Sequence, residues 1–394
     1  MARPPQPLAG RRIWFVGIGG AGLSAYAFLA RAWGAEVGGW DRIETPYLAA
    51  IDGAEVEFGA EPALRDGWET VVSTAYAGRV HGRSRAEFLA ELVSLRRSIV
   101  VSGAHGKTTT SGMIAFVLAE LGHDPAWLVG GDVPQLGGNA GAGEGWLVVE
   151  GDESDRTVEA LRPEIAVVTN IELDHHATFA SDAELRELFD RWLEEVPRVV
   201  RGWELDPVEL ELAIPGEHNR RNAAAALAAL ELVGVARADA EPVLASFRGA
   251  GRRFDPVGEA AGVTVVDDYA HHPAEIAATI AAARERTEGR VLVLFQPHLY
   301  TRTRHLAHEF GRALSEADAV CVTDIYPARE QPLPGVSGKL VVDALQPGLR
   351  AGWAPDVEQG AALVSRWARP GDLVLTLGAG DVDRAGPLIL EALS

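Results

Sequence analysis

The chain has a single cysteine in 394 residues, Cys321, so an internal disulfide and a cysteine-built zinc site are both excluded. That residue stands in the apolar run AVCV and is expected to be a small core side chain. A lone cysteine fits a reducing compartment. No run reaches the ~18 consecutive apolar residues of a membrane span. The opening segment MARPPQPLAGRR lacks an apolar signal core and runs directly into a strand pattern, so the expected location is cytoplasmic. Basic charge is scarce: 36 Lys and Arg face 56 Asp and Glu, a net charge of −20. That argues against sequence-independent binding of nucleic acid or an anionic membrane. It leaves room for a small phosphate ligand, which needs only backbone N–H groups and a few local cations. No short-period repeat is present. Apolar residues make up 47% and charged residues 23%, which excludes a disordered chain or a fibre.

At about 150 residues per domain, this length holds two or three domains. Short apolar runs alternate with longer helical patterns: IWFVGIGG before AGLSAYAFLARAWG, SIVVSGAHG before KTTTSGMIAFVLAELG, and VLVLFQPH before RHLAHEFGRALSEA. Strand, glycine turn and helix in repeated order predict an α/β fold with parallel sheets. Such units restart at about residues 12, 98 and 264. Boundaries are placed after the helical run RAEFLAELVSLRR and at the glycine- and proline-bearing stretch RGAGRRFDPVGE. The expected division is 1–97, 98–246 and 247–394.

Two glycine loops carry the strongest chemistry. Gly17-Ile18-Gly19-Gly20-Ala21-Gly22 lies between a strand and a helix. Gly17 and Gly19 permit a tight turn and close approach of backbone to phosphate, and Gly22 lets the helix pack on its sheet. Asp41, 19 residues after Gly22, sits where a ribose-binding acid often does. By itself this loop also suits an NAD-dependent oxidoreductase. Gly103-Ala104-His105-Gly106-Lys107-Thr108-Thr109-Thr110 follows the strand SIVVS and opens a helix. It is a shortened P-loop: glycines expose N–H groups, Lys107 neutralises phosphate charge, and the Thr108 hydroxyl can ligate Mg2+. ATP is the expected ligand, and this second loop argues against the oxidoreductase.

Acidic and polar clusters follow other strands. In Glu150-Gly151-Asp152-Glu153-Ser154-Asp155, Glu150 is the favoured magnesium ligand, because a hard cation prefers oxygen. In Thr169-Asn170-Ile171-Glu172-Leu173-Asp174-His175-His176, His175 is the favoured partner in that metal site. His218-Asn219-Arg220-Arg221-Asn222 supplies amides that suit an adenine edge, and capping of the following helix is compatible with that role. The last third carries Arg252-Arg253-Phe254, Asp267-Asp268-Tyr269-Ala270-His271-His272-Pro273 and Phe295-Gln296-Pro297-His298-Leu299-Tyr300-Thr301-Arg302-Thr303. Polar groups gathered at the carboxyl ends of parallel strands mark a ligand site.

Taken together, GIGGAG, GAHGKTTT, EGDESD, TNIELDH, GEHNRRNAA, GRRF, DDYAHHP, FQPHLYTRT, DIYPARE and LGAGD resemble the Mur ligase family, in order and over nearly the whole chain. DDYAHHP and FQPHLYTRT resemble its muramate–alanine branch. The resemblance implies three domains: a Rossmann-like domain for the UDP part of the substrate, a P-loop ATPase-like central domain, and a Rossmann-like C-terminal domain. It implies ATP-dependent joining of L-alanine to the lactyl carboxylate of UDP-N-acetylmuramic acid through an acyl phosphate, in peptidoglycan precursor synthesis, by a monomer or homodimer.

By motif match, Gly17, Gly19, Gly20, Ala21, Gly22, Ser24, Asp41 and Ser73 would bind the UDP substrate. Gly103 to Thr109 would hold the ATP phosphates, with Thr108, Glu150 and His175 on Mg2+. His218, Asn219 and Asn222 would face adenine, Asp268 the ribose and Arg253 the phosphates. Tyr269, His271 and Arg302 would lie at the amino-acid end, Arg302 pairing the alanine carboxylate. His105 is a candidate for proton removal only through its place in the P-loop.

The chain also departs from the family. Leu299 stands where an arginine is common, and Ala177 where an aspartate is common. The stretch after Ser73-Thr74-Ala75 is short, and so is the segment between His175 and His218. No lysine between Lys107 and Lys339 could serve as the carbamylated lysine of other branches. Two rival readings follow: a ligase that recycles a whole murein peptide onto the same UDP-muramate, and a non-catalytic nucleotide-binding protein.

Overall fold

The computed structural model describes residues 6–51, 53–173, 178–179, 181–328 and 330–394. They form three mainly parallel sheets flanked by helices, an α/β architecture. The chain divides into two compact bodies: Met1–Leu210 with Arg221–Phe247, and Glu211–Arg220 with Arg248–Ser394. The first body holds two of the sheets and the second body holds the third.

The first sheet comprises β1 (Arg12–Val16), β2 (Glu36–Asp41), β3 (Glu55–Phe58), β4 (Glu69–Val72) and β5 (Arg83–Ser84), in the order β3-β2-β1-β4-β5 and parallel throughout. Its helices are α1 (Ala21–Ala32) and α2 (Arg85–Ser94). The latter begins with a capping box in which Ser84 and Glu87 satisfy each other's backbone N–H groups. β5 has only two residues, the structural counterpart of the short stretch after Ser73. Trp14, Trp40 and Val16 of this sheet are covered by Ala63, Trp68, Tyr76 and Val80, side chains from the segments between its strands.

The second sheet holds β6 (Ser98–Ser102), β7 (Ala126–Leu128), β8 (Ala140–Ala142), β9 (Leu147–Glu150), β10 (Ile165–Val168) and β11 (Arg198–Arg201), in the order β11-β10-β6-β9-β7-β8. Only β7 and β8 pair antiparallel. All five residues of β6 are buried, as a central parallel strand covered on both faces requires. Helix α3 (Lys107–Glu120) follows β6 and is buried from Thr108 to Leu118. Helix α4 (Asp182–Glu194) turns Leu185, Leu188, Phe189, Trp192 and Leu193 inward, the stripe expected of a one-sided helix. Helices α5 (Glu217–Val233) and α6 (Arg237–Ala245) follow.

The third sheet contains β12 (Asp255–Ala260), β13 (Val263–Asp268), β14 (Val291–Phe295), β15 (Ala319–Val322), β16 (Arg350–Trp353) and β17 (Leu373–Leu377), ordered β12-β13-β17-β14-β15-β16. Only β12 pairs antiparallel. It is flanked by α7 (Pro273–Arg284), α8 (Tyr300–Leu314), α9 (Lys339–Asp343), α10 (Val357–Trp367) and α11 (Ala385–Leu393). Cys321 is fully buried in β15, and burial pushes its thiol up to about 12, so it is an inert core residue. Among the described residues no helix is long and apolar enough to cross a membrane.

Candidate active site

The glycine loops sit where the sheet topologies place them. β1 lies between β2 and β4, and β6 lies between β10 and β9. Successive connections therefore depart to opposite sides, opening a crevice at the carboxyl end of each central strand.

At the end of β1, Gly17 adopts φ +88°, and a Cβ there would come within 3.0 Å of the Ser73 side chain. This explains why the loop requires glycine and brings Ser73 against it. Gly19 N–H donates to Asp41 Oδ2 at 2.7 Å, and Thr45 donates to the Gly19 carbonyl at 2.7 Å. Asp41 ends β2 and here braces the loop. Gly20 caps α1. Ser24 is 2% exposed and its hydroxyl donates to the Ala21 carbonyl, so that group is engaged inside the helix. The Arg85 guanidinium lies about 3.8 Å from the place a Gly22 Cβ would occupy, and Arg85 donates to the Tyr26 hydroxyl at 3.4 Å.

At the end of β6, Gly106 caps α3 in the left-handed region, φ +80°. A Cβ at 106 would collide with Oδ1 of Asn222, which is 8% exposed. Asn222 therefore lies against the P-loop. Lys107 folds back: its Nζ donates to the carbonyls of Gly103 at 2.6 Å and Ala104 at 3.2 Å and stands 3.1 Å from Glu153 Oε2. Burial pulls the ammonium toward neutrality, but the carboxylates of Glu153, Asp152 and Glu150 outweigh it and raise its pKa. Thr108 Oγ1 donates to Glu150 Oε2 at 2.9 Å, and the same oxygen accepts from Gly130 N at 2.8 Å. Thr109 is buried in the first turn of α3.

The loop is also held from β10. Asn170 Oδ1 accepts from His105 N at 3.0 Å, and Asn170 Nδ2 donates to His105 O at 2.9 Å. Thr169 donates to the same carbonyl. His105 Nε2 lies 3.5 Å from Glu172. His175 lies outside the described residues.

In the second body, Asn219 Nδ2 donates to Pro215 O at 2.6 Å. His218 is mostly buried, and burial, then Arg253, lowers its pKa to about 4. The two arginines of GRRF part company. Arg252 donates to Asp267 Oδ2 at 2.8 Å and to the carbonyls of Gly380 and Gly378 at 2.8 and 2.7 Å, tying β13 to the LGAGD turn. Arg253 stands 3.8 Å from Glu275 and 5.1 Å from the Tyr269 ring. Asp268 accepts from Phe254 N and Ala270 N, and burial pushes its carboxyl up to about 6 against the pull of Arg253. Tyr269 and His271 meet edge to face at 5.2 Å, and His271 and His298 at 6.1 Å. Glu275 accepts from both His271 N and His272 N. Arg302 is 6% exposed in the first turn of α8. Leu299 caps that helix at φ +71°.

Sequence reasoning singled out Lys107, Thr108 and Glu150, and these meet. It did not single out Asn170, Arg252, Glu275 or the pairing of Glu153. Each lay inside or just beyond a quoted motif, but partners 46 to 128 residues away for Glu153 and Arg252 carry no local signal.

Three family profiles match the chain in order. "Mur ligase family, catalytic domain" matches residues 12–97, "Mur ligase middle domain" 101–198 and "Mur ligase, glutamate ligase domain" 252–380. The UDP-N-acetylmuramate–L-alanine ligase of Streptomyces coelicolor is 41% identical over 462 aligned positions, covering 99% of this chain and 99% of the relative. The enzyme of the same name from Rubrobacter xylanophilus is 40% identical over 448 positions, covering 97% and 100%. Both alignments exceed the 394 residues of this chain, so the relatives carry segments that it lacks. Among solved structures, a UDP-N-acetylmuramate–alanine ligase from Thermotoga maritima matches with a TM-score of 0.78 at 27% identity, covering 96% of this chain and 98% of the other. A murein peptide ligase from Psychrobacter arcticus shares the fold, with a TM-score of 0.65 at 22% identity and coverage of 98% and 99%. The three profiles fall on the three sheets, and full-length identity accompanies them: the chain belongs to the Mur ligase family.

Proposed function

We propose that this protein is an ATP-dependent ligase that joins L-alanine to the lactyl carboxylate of UDP-N-acetylmuramic acid, releasing ADP and phosphate, in peptidoglycan precursor synthesis. The observation that carries the reading is 41% identity to a ligase of that name along 99% of both chains. The P-loop group supports it: Lys107, Thr108 and Glu150 lie together at the end of β6.

A carboxylate is a poor electrophile. Transfer of the γ-phosphoryl group onto it gives an acyl phosphate, which the alanine amine then attacks with loss of phosphate. In this reading Lys107 offsets charge on the phosphoryl oxygens. The facing oxygens of Thr108 and Glu150, 2.9 Å apart, are a donor set that suits Mg2+. That ion would supply further charge neutralisation, with His175 its third protein ligand. Gly17, Gly19, Gly20, Ala21 and Gly22, with Asp41 and Ser73, form the UDP site. His218, Asn219 and Asn222 face adenine, Asp268 faces ribose, and Arg253 faces phosphate. Tyr269, His271 and Arg302 receive alanine. Ser24 belongs to the UDP site: its hydroxyl donates to the Ala21 carbonyl and keeps its acceptor lone pairs. The working division is 1–97 for UDP, 98–246 for ATP and 247–394 for the amino acid, in a cytoplasmic monomer or homodimer.

The test is phosphate release with ATP, Mg2+ and UDP-N-acetylmuramic acid, with and without L-alanine. Release that requires every component, with a product heavier by one alanine residue, is expected. Activity with a murein tripeptide but not with alanine would overturn the reading in favour of the recycling ligase.

A further inference from the structure

Glu275 lies in the first turn of α7, with its side chain 12% exposed, and meets two functional clusters. One carboxylate oxygen accepts from His271 N at 3.0 Å and His272 N at 3.2 Å, and stands 3.4 Å from His271 Nδ1. The other lies 3.8 Å from Arg253. The bond from the N–H of His272, the N-cap residue, completes the capping box of α7, so the carboxylate is fixed by the fold.

His271 is held in one tautomer. Its Nδ1 lies 2.9 Å from the carbonyl of Tyr269. A carbonyl can only accept, so Nδ1 carries a proton, and in the neutral ring the lone pair is then on Nε2. A carboxylate beside the protonated nitrogen stabilises the imidazolium that would form when Nε2 takes up a second proton. This is the orienting logic of acid–histidine pairs in general.

We infer that Glu275 is a positioning residue that holds His271 so that His271 Nε2 accepts the proton of the incoming amine. The inference rests on the ligase reading above. In the step, the alanine nitrogen forms a bond to the acyl carbon. The acyl C–O bond to phosphate breaks and phosphate leaves with the bonding pair, while the amine proton passes to Nε2. Arg253, on the other side of the same carboxylate, links the nucleotide end to this pair.

Hydroxylamine separates the two halves of the reaction. It is largely unprotonated at neutral pH and traps an acyl phosphate as a hydroxamate without needing a base. The full-length protein, its Glu275→Gln and His271→Gln variants and the double variant are assayed for L-alanine ligation and, without alanine, for hydroxamate formation. Glu275→Gln is expected to lower kcat for alanine at least about tenfold more than it lowers hydroxamate formation. The double variant should be no worse than His271→Gln, and Glu275→Asp, which keeps the charge, should recover part of the alanine rate. Equal losses in both assays would mean that Glu275 acts through Arg253 or the fold, and would overturn the inference. Additive losses in the double variant would also overturn it. A parent protein that forms neither product sinks the ligase reading, and this inference with it. A parent that forms both, with variants that ligate alanine normally, sinks this inference alone.

Discussion

The Glu153 carboxylate stands 3.1 Å from the Lys107 ammonium, and the two side chains are 2% and 15% exposed. A buried pair is costly to break from one side, because the remaining charge is left without compensation. Glu153→Ala should lower stability by about 3 kcal/mol in urea unfolding, with Glu153→Gln costing less. Lys107→Ala should abolish ADP formation while circular dichroism still reports the folded α/β chain. Near-normal turnover in that variant would remove Lys107 from the reaction.

Asn170 makes two reciprocal hydrogen bonds to the backbone of His105. Asn170→Asp keeps an acceptor for the N–H but turns a second acceptor toward the His105 carbonyl. A cost of about 1–3 kcal/mol is expected, together with a raised KM for ATP and an unaltered KM for L-alanine. Equal changes in both constants would argue against a specific hold on the P-loop.

Gly106 combines a left-handed backbone with close contact to Asn222. Gly106→Ala should cost about 1–2 kcal/mol for the backbone alone, plus the clash. Adding Asn222→Ala should recover the clash but not the backbone term. Full recovery of the melting temperature in the double variant would show that the backbone there is unstrained.

Two buried groups of the second body predict opposite pH slopes. His218 has its pKa lowered to about 4, so the unfolded chain binds the extra proton first. Its contribution to stability is complete above about pH 6.5 and is lost as the pH falls toward 4. Asp268, raised to about 6, takes up a proton in the folded state first, so it contributes stability as the pH falls from about 6 to 4. Urea midpoints should therefore fall less on acidification in His218→Gln than in the parent, and more in Asp268→Asn. Parallel pH curves for all three proteins would refute both assignments.

Arg302 is nearly buried at the start of α8, where a guanidinium can fork onto a carboxylate. Arg302→Ala should raise the KM for L-alanine at least about tenfold and change the KM for ATP little. An unchanged alanine KM would take Arg302 out of the amino-acid site. This matters more here because Leu299 stands where an arginine is common in the family.

The central strands and the two glycine loops were legible because their signals are local. A fully apolar run, a glycine that must turn and a helix beginning with GKT are contiguous in the chain. Glu150, singled out as the first acid after its strand, ends β9, and β9 pairs with β6. The division of labour between Arg252 and Arg253 was not legible, because adjacent residues point to different partners and only one partner of Arg252 lies nearby in sequence. Nor was the bond that Asn219 Nδ2 donates to the Pro215 carbonyl.

From the amino-acid order alone follow the α/β class, the parallel strands, the glycine loops between strand and helix and the Mur ligase resemblance, since each rests on residues a few positions apart. Tertiary structure decided which acid neutralises Lys107, which amide steadies His105, which arginine is absorbed by the sheet, and which carboxylate faces His271. The reason is physical: buried polar groups must find partners. Which partner each one meets is set by strand order and register, and those exist only once the sheets have closed.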